Sequence, residues 1–447
     1  MAEPFILHAP EFDAADNTAR FCFDVPRFGR FEETVAFPET ARLDGIEAGL
    51  QDQLLQLAAI LSGTSYFKAA PTQALKFEFP LTGEAKTLAE LTYGPGLGEF
   101  YVRNDLAYPP ALSIEAETAQ GGGSARRDAS QAPRAVTAFG GGKDSHVASA
   151  IVAEAGGEAE RVSVILSEKV GDRLQSMSET PVILIHRTLD PRLIDISKSG
   201  EALNGHIPIT GVNSTLLGLY AAARGLDWVV FANERAASEP TMETNGHPVN
   251  HQFSKSLEFE DALRAAFEAA GAGFAYFSVL RPVTEIWTAH YLATRADFAL
   301  EIFASCNRNF VFAGPNALEP GRRWCGKCAK CVYTAVLLAP FLPVERHAEI
   351  FQSKPLHDEA NLEFLREIAG LAGAKPWECV GEMREVAAAL AHLGTAPGWR
   401  DAPLIRAVQG ALFERWDRHE LAETWENSLD ARSEHRMPQL AAEVVGA

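Results

Sequence analysis

Three glycines, a lysine, an aspartate and a serine follow one another in Gly140-Gly141-Gly142-Lys143-Asp144-Ser145. That order of residue types suits the holding of phosphate. Glycines let the backbone turn sharply and aim several N–H groups at one point. A helix beginning there adds the positive end of its dipole. Lys143 offers a mobile positive charge, Asp144 a carboxylate able to help hold magnesium, and Ser145 a hydroxyl. The spacing is neither the Gly-x-x-x-x-Gly-Lys-Ser/Thr of Walker-type loops nor the spaced glycines of a dinucleotide turn. A tight glycine turn with no ligand is the plain alternative.

A second cluster lies later in the chain, where Cys306 is followed by Cys325-Gly326-Lys327-Cys328-Ala329-Lys330-Cys331. Two consecutive two-residue gaps plus one upstream cysteine suit a tetrahedral site of four thiolates, which leaves no open position and is therefore structural zinc. An iron–sulfur cluster would use the same ligands, and free buried cysteines are the unliganded alternative. Cys22 and Cys379 have no partners at metal spacing.

Other candidates stand alone. His206, between Gly205 and Pro208, is a candidate general base, since imidazole exchanges protons near neutral pH; a loop histidine bonded to backbone is the alternative. Glu234 and Arg235 follow an apolar run at 228–232. They therefore fall at the carboxyl end of a strand, where parallel sheets bind ligands. Arg235 is a candidate clamp for a substrate carboxylate or phosphate, or else half of a surface ion pair. His251, Ser254 and Lys255 occupy a polar stretch that is either a substrate loop or a solvated one. Arg322 and Arg323 read either as a contact for a substrate diphosphate or as a solvated basic edge, the second being preferred.

The elements that must position these groups can be outlined. Alternating stretches from 5–38, such as Arg20-Phe21-Cys22-Phe23-Asp24-Val25, predict strands of a small antiparallel unit. Leucines at helical spacing predict a helix over 46–61. The glycine-rich run 119–133 reads as a linker, giving an N-terminal α+β domain over 1–118. Beyond it, apolar runs at 135–139, 162–166, 182–185 and 228–232 alternate with helical stretches. That alternation predicts an α/β unit with a parallel sheet over 134–335. Asn213 reads as the cap of a helix over 214–224 that ends at Gly225. A helical region follows over 336–447, with Val380, Met383, Val386, Leu390 and Leu393 on one face and Gly394 at the C-cap.

Bulk properties narrow the function. Across 447 residues, 40 Lys+Arg face 59 Asp+Glu for a net charge of -19, a field that repels long nucleic acids. No window approaches the roughly 20 apolar residues of a bilayer span, and Met1-Ala2-Glu3-Pro4 does not begin like a signal peptide. The expectation is a cytoplasmic protein with neither nucleic-acid nor membrane partners.

The loop at 140–145 resembles the pyrophosphate loop of the ATP pyrophosphatase (PP-loop) superfamily, Ser-Gly-Gly-x-Asp-Ser, with Gly140 where a serine is usual. The cysteine cluster after Phe303-Ala304-Ser305 resembles the zinc site of the 7-cyano-7-deazaguanine synthases of that superfamily. The whole layout most resembles the UDP-N-acetylmuramoyl-L-alanyl-L-glutamate epimerase (MurL) family. The segments carrying the match are the glycine loop, Asn204-Gly205-His206-Ile207-Pro208, Ala232-Asn233-Glu234-Arg235-Ala236, Asn250-His251-Gln252-Phe253-Ser254-Lys255-Ser256 and Trp324-Cys325-Gly326-Lys327-Cys328.

The resemblance implies a sheet of the adenine nucleotide α-hydrolase (HUP) type. It also implies an ATP- and magnesium-dependent isomerase of peptidoglycan biosynthesis that inverts the terminal glutamate of a UDP-muramoyl dipeptide through an acyl-adenylate. It would act beside a muramoyl-L-alanine ligase that adds L-glutamate. Lys143, Asp144, His206 and His251 are then the candidates for chemistry. Gly140 to Ser145 would hold ATP, and Glu234, Arg235 and Lys255 the substrate. The rivals are an amide- or nitrile-forming deazapurine enzyme and a protein that senses nucleotide without turnover.

Overall fold

The computed structural model describes residues 3–122, 132–372 and 380–447. Its strands, in chain order, are β1 (Phe5–Leu7), β2 (Glu11–Asp13), β3 (Thr18–Val25), β4 (Gly29–Ala36), β5 (Ala74–Phe77), β6 (Ser113–Glu115), β7 (Arg134–Ala138), β8 (Glu158–Ile165), β9 (Val182–Thr188), β10 (Trp228–Phe231), β11 (Met242–Thr244), β12 (His247–Val249) and β13 (Ala275–Ser278). β11 and β12 form a separate antiparallel pair. The rest build one sheet in the order β13-β10-β7-β8-β9-β4-β3-β1-β5-β6, with β2 against β3.

From β13 to β9 every neighbour is parallel. β3 and β4 form the expected antiparallel hairpin, paired from Thr18↔Ala36 to Val25↔Gly29. β4 then pairs antiparallel with β9 through Val35↔Arg187. The strands of 1–118 and those of 134–335 are thereby edges of a single continuous sheet, stapled by the buried pair Arg187–Glu33 at 2.7 Å. Within the run read as a linker, residues 123–131 lie outside the described residues, as does Cys379. Cys22 sits partly buried on β3.

The strands alternate their side chains between two apolar cores. Ala135, Trp228, Val230 and Phe277 point into one; Val136, Val229, Phe231 and Tyr276 point into the other. The first core is covered by the helices Lys143–Glu154 and Glu285–Thr294 and by the C-terminal helices. The second is covered by Ile209–Arg224, packed on Ala48–Ser62.

One helix boundary departs from the sequence reading. The helix expected from 214 starts at Ile209, so Asn213 is not its cap but lies inside the second turn; its other end is at Gly225 as expected, left-handed at φ 61°. Gly394 caps Met383–Leu393 as expected, with a right-handed φ of -61°, and the Gln409 carboxamide lies close enough that a Cβ there would sit 2.4 Å from its Oε1. Val386, Leu390 and Leu393 are buried as the spacing predicts. Among the described residues, no helix is long and apolar enough to cross a membrane.

Candidate active site

The chain adds β8 and β9 on one side of β7, and β10 and β13 on the other. Loops leaving β7 and β10 at their carboxyl ends therefore diverge, and a crevice opens at this switch in direction. A cleft of ≈ 540 Å³ occupies that place, and Gly140, Gly142, Asp144, Ser145, Asn213, Glu234, Lys255 and Lys330 are among the residues lining it.

The glycine loop turns β7 into the helix Lys143–Glu154. Gly141 adopts φ +72°, and a Cβ there would lie 2.2 Å from Met177 Cε, so glycine is required twice over. At Gly140 a Cβ would meet nothing within 4 Å, so packing does not require glycine there. The helix starts at Lys143, with Gly142 as a cap that offers no side chain. Its cap residue thus supplies no side-chain acceptor, and Lys143 N turns instead to Ser305 Oγ at 3.4 Å; a helix start of this kind at the mouth of a cleft is an arrangement that receives anions. Ser145 Oγ donates to Gly142 O at 3.0 Å, closing the turn.

Lys143, only 3% exposed, donates to Asp144 Oδ1 and Glu285 Oε2. Asp144, Glu234 and Glu285 bring carboxylate oxygens within 4.8 Å of one another. Burial disfavours the Lys143 ammonium, but Asp144 and Glu285 outweigh it and hold its pKa above the ordinary value. Burial pushes Glu285 up, with Glu234 and Asp144 adding to the shift. Burial also works on Glu234, but Lys255, Lys143 and Lys330 pull its carboxyl well below the usual range. A cluster of hard oxygens that close suits a small divalent cation such as Mg²⁺.

Glu285 enters from the helix Glu285–Thr294, whose N-terminus is fixed by Thr284 Oγ1 accepting from Trp287 N at 2.9 Å. Arg281 places two further members. Buried to 2% and paired with buried Glu260 at 2.9 Å, it donates to Glu234 O at 2.8 Å and to Lys255 O at 2.6 Å. Neither Glu285 nor Arg281 carries a sequence signal, because each is a single charged residue outside any motif.

His206 and His251 meet at a ring-centroid distance of 4.6 Å, brought together by Glu99, which is 4% exposed. Glu99 Oε2 bonds His251 Nδ1 and lies 3.7 Å from His206 Nδ1. Burial and the neighbouring His251 lower His206 to about 4 against the opposing pull of Glu99, which leaves the imidazole neutral at physiological pH. Arg103 takes the other Glu99 oxygen at 3.0 Å, and Lys68 and Lys255 add positive charge nearby. That cationic surround favours a hydrogen-bonded cluster over a bound cation. Lys255 acts on both His206 and Glu234, which links the histidines to the cleft.

Arg235 lies apart from the cleft. Its guanidinium is taken by Glu382 at 2.9 Å and Glu385 at 2.8 Å. Glu385 in turn accepts from Glu285 N at 2.9 Å. Arg235 therefore joins the C-terminal helices to the acidic cluster.

The four cysteines converge. Cys306–Cys328, Cys325–Cys331 and Cys328–Cys331 are separated by 4.0, 3.7 and 3.5 Å between sulfurs. A tetrahedron with metal–sulfur bonds of about 2.3 Å has edges of about 3.8 Å, so the set fits one zinc ion. A multi-iron cluster, with one thiolate per iron at its corners, would hold the sulfurs further apart. Backbone N–H groups of Arg308 and Cys325 donate to Cys306 Sγ, both at 3.4 Å.

Comparison with known proteins matches this chain over nearly all of its length. A family model described as the MurL N-terminal domain covers residues 1–279, and one described as the MurL C-terminal domain covers 302–423. Among similar proteins are three named UDP-N-acetyl-alpha-D-muramoyl-L-alanyl-L-glutamate epimerase. That of Micromonospora sp. is 37% identical over 86% of this chain and 85% of its own length. That of Salinispora tropica is 35% identical over 91% and 88%. That of Xanthomonas oryzae pv. oryzae is 34% identical over 97% and 95%.

Proposed function

The chain belongs to the MurL family, and from that premise we propose that it inverts the terminal L-glutamate of UDP-N-acetylmuramoyl-L-alanyl-L-glutamate with ATP as the activating substrate. Epimerisation in peptidoglycan precursor synthesis follows from the family itself. The route through ATP is carried by one observation: the glycine turn and the helix start it leads into at the sheet's switch point, beside the cluster Asp144, Glu234 and Glu285. A sheet of PP-loop type is the reading that best accommodates a nucleotide there. The family match leaves no support for the deazapurine rival.

A free carboxylate opposes loss of its α-proton, because the carbanion would place a second negative charge beside the first. In the proposed route a carboxylate oxygen of the substrate attacks the α-phosphorus of ATP, and the bond to pyrophosphate breaks. The resulting acyl-adenylate has an electrophilic carbonyl that can accept the electron pair of the adjacent C–H bond. A base then takes that proton, a proton is added to the opposite face, and water releases AMP and the D-glutamyl product.

This chain supplies the placement. First-turn amides of Lys143–Glu154 cradle phosphate, and Lys255, which lines the cleft, also acts on His206. His206, neutral and backed by His251 and Glu99, is the base this reading assigns. The two imidazoles are too close to flank a carbon on both faces, which needs donors about 6 Å apart. They therefore serve one face. Asp144, Glu234 and Glu285 would hold Mg²⁺, whose charge would neutralise developing negative charge on phosphate. The four cysteines would hold structural zinc and take no part in the reaction.

The test is incubation with the L-glutamate precursor and ATP in deuterium oxide. The expected products are D-glutamate carrying deuterium at the α-carbon, AMP and pyrophosphate, with Asp144→Ala folded but producing no AMP. Inversion without nucleotide, or ADP in place of AMP, would defeat the adenylate route.

A further inference from the structure

We propose that Ser305 and Lys330 are polyphosphate-binding residues of the cleft, delivered to it by the four-cysteine cluster. The proposal rests on the nucleotide reading above. Ser305 immediately precedes Cys306, and its segment is laced onto the glycine turn. Ala304 N donates to Gly141 O at 2.9 Å, and Lys143 N donates to Ser305 Oγ at 3.4 Å. A Cβ on Gly142 would sit 3.1 Å from that hydroxyl. Ser305 therefore presents a hydroxyl at the N-terminal turn of Lys143–Glu154, where the cap residue has none.

Lys330 comes from the other arm of the cluster, between Cys328 and Cys331, in the first turn of the helix Ala329–Leu338. It lines the same cleft, and its charge is one of those acting on Glu234 and Asp144. The charge balance favours such a group. A nucleoside triphosphate brings about four negative charges to a cleft already lined by Asp144 and Glu234. Lys143 is engaged by Asp144 and Glu285. Among the described residues no carboxylate pairs with Lys330, so its ammonium is available to phosphate.

Both residues stand next to cysteines whose sulfurs lie within 4.8 Å of one another. Joining Cys306 to Cys328 and Cys331 fixes the separation of Ser305 and Lys330 across the cleft. The cysteines act here as positioning residues.

Titration calorimetry of the full-length protein, as purified, with Mg-ATP and its α,β-methylene analogue tests this. Lys330→Met is expected to weaken binding tenfold or more and Ser305→Ala several-fold, while Lys330→Arg stays within about threefold because it keeps the charge. Bound metal by elemental analysis and melting temperature are measured on each variant. Should Lys330→Met lose metal, Ser305→Ala and Lys330→Arg decide the matter. Wild-type affinity in Lys330→Met and Ser305→Ala would overturn the proposal. A wild-type protein that binds neither nucleotide would instead remove the nucleotide reading beneath it.

Discussion

Arg281 shows how a residue outside the lining of a cleft can govern it. Its guanidinium is buried with Glu260 and donates to the carbonyls of Glu234 and Lys255, so two cleft residues inherit their backbone positions from one ion pair. Replacing it with methionine leaves the Glu260 carboxylate buried without its partner, a loss of about 3–5 kcal/mol. Arg281→Met should show that loss in urea unfolding, and nucleotide affinity should fall alongside it. A variant of unchanged stability would mean that water or another cation takes the place of the guanidinium.

The glycine loop and the four cysteines were legible at this scale because their chemistry is local: neighbours in the chain are neighbours in the site. Glu285, Arg281 and Glu99 were not. Each reaches its partners through strand order and helix packing, and sequence spacing carries no trace of that. Asn213 misled because an asparagine before a helical run is a common cap, whereas here it lies in a helix that starts at Ile209 and lines the cleft.

At the scale of elements, the helix Met383–Leu393 couples the C-terminal region to the site. It presents Glu385 to Arg235 and to the backbone of Glu285, and Glu285 holds Lys143. The periodicity of 383–393 announced an apolar face, but the second, charged contact had no periodic signature. The seating of this helix depends on Gly394, where Gln409 approaches closely and its Nε2 donates to Leu390 O at 3.0 Å. Gly394→Ala forces Gln409 out of that bond and should destabilise by about 1 kcal/mol. Chemical denaturation would register it, together with a weaker ligand response if the coupling runs as described.

For the whole molecule, pH dependence follows from buried imidazoles. Burial lowers His146 from 6.5 to about 3 and His347 from 6.5 to about 4. His347 is 2% exposed, with Nε2 donating to Ala335 O at 3.0 Å. The unfolded chain takes up these protons as the pH falls below about 6.5, while the folded chain resists until about 4. Their stabilisation is complete above about pH 6.5 and declines as the pH drops toward 4, by roughly 3 kcal/mol at most for His347. Melting curves from pH 7.5 to 4 should show this limb, and His347→Gln, which can still donate to Ala335 O, should flatten it.

The cleft draws its walls from the turn at 140–145, from Asn213, from Glu234, from Lys255 and from the segments at 304–306 and 330. A ribosome releases the first of these nearly two hundred residues before the last. The cleft is therefore complete only once its final wall has emerged. A translation product halted before residue 330 would carry the glycine turn yet lack the wall that Lys330 supplies.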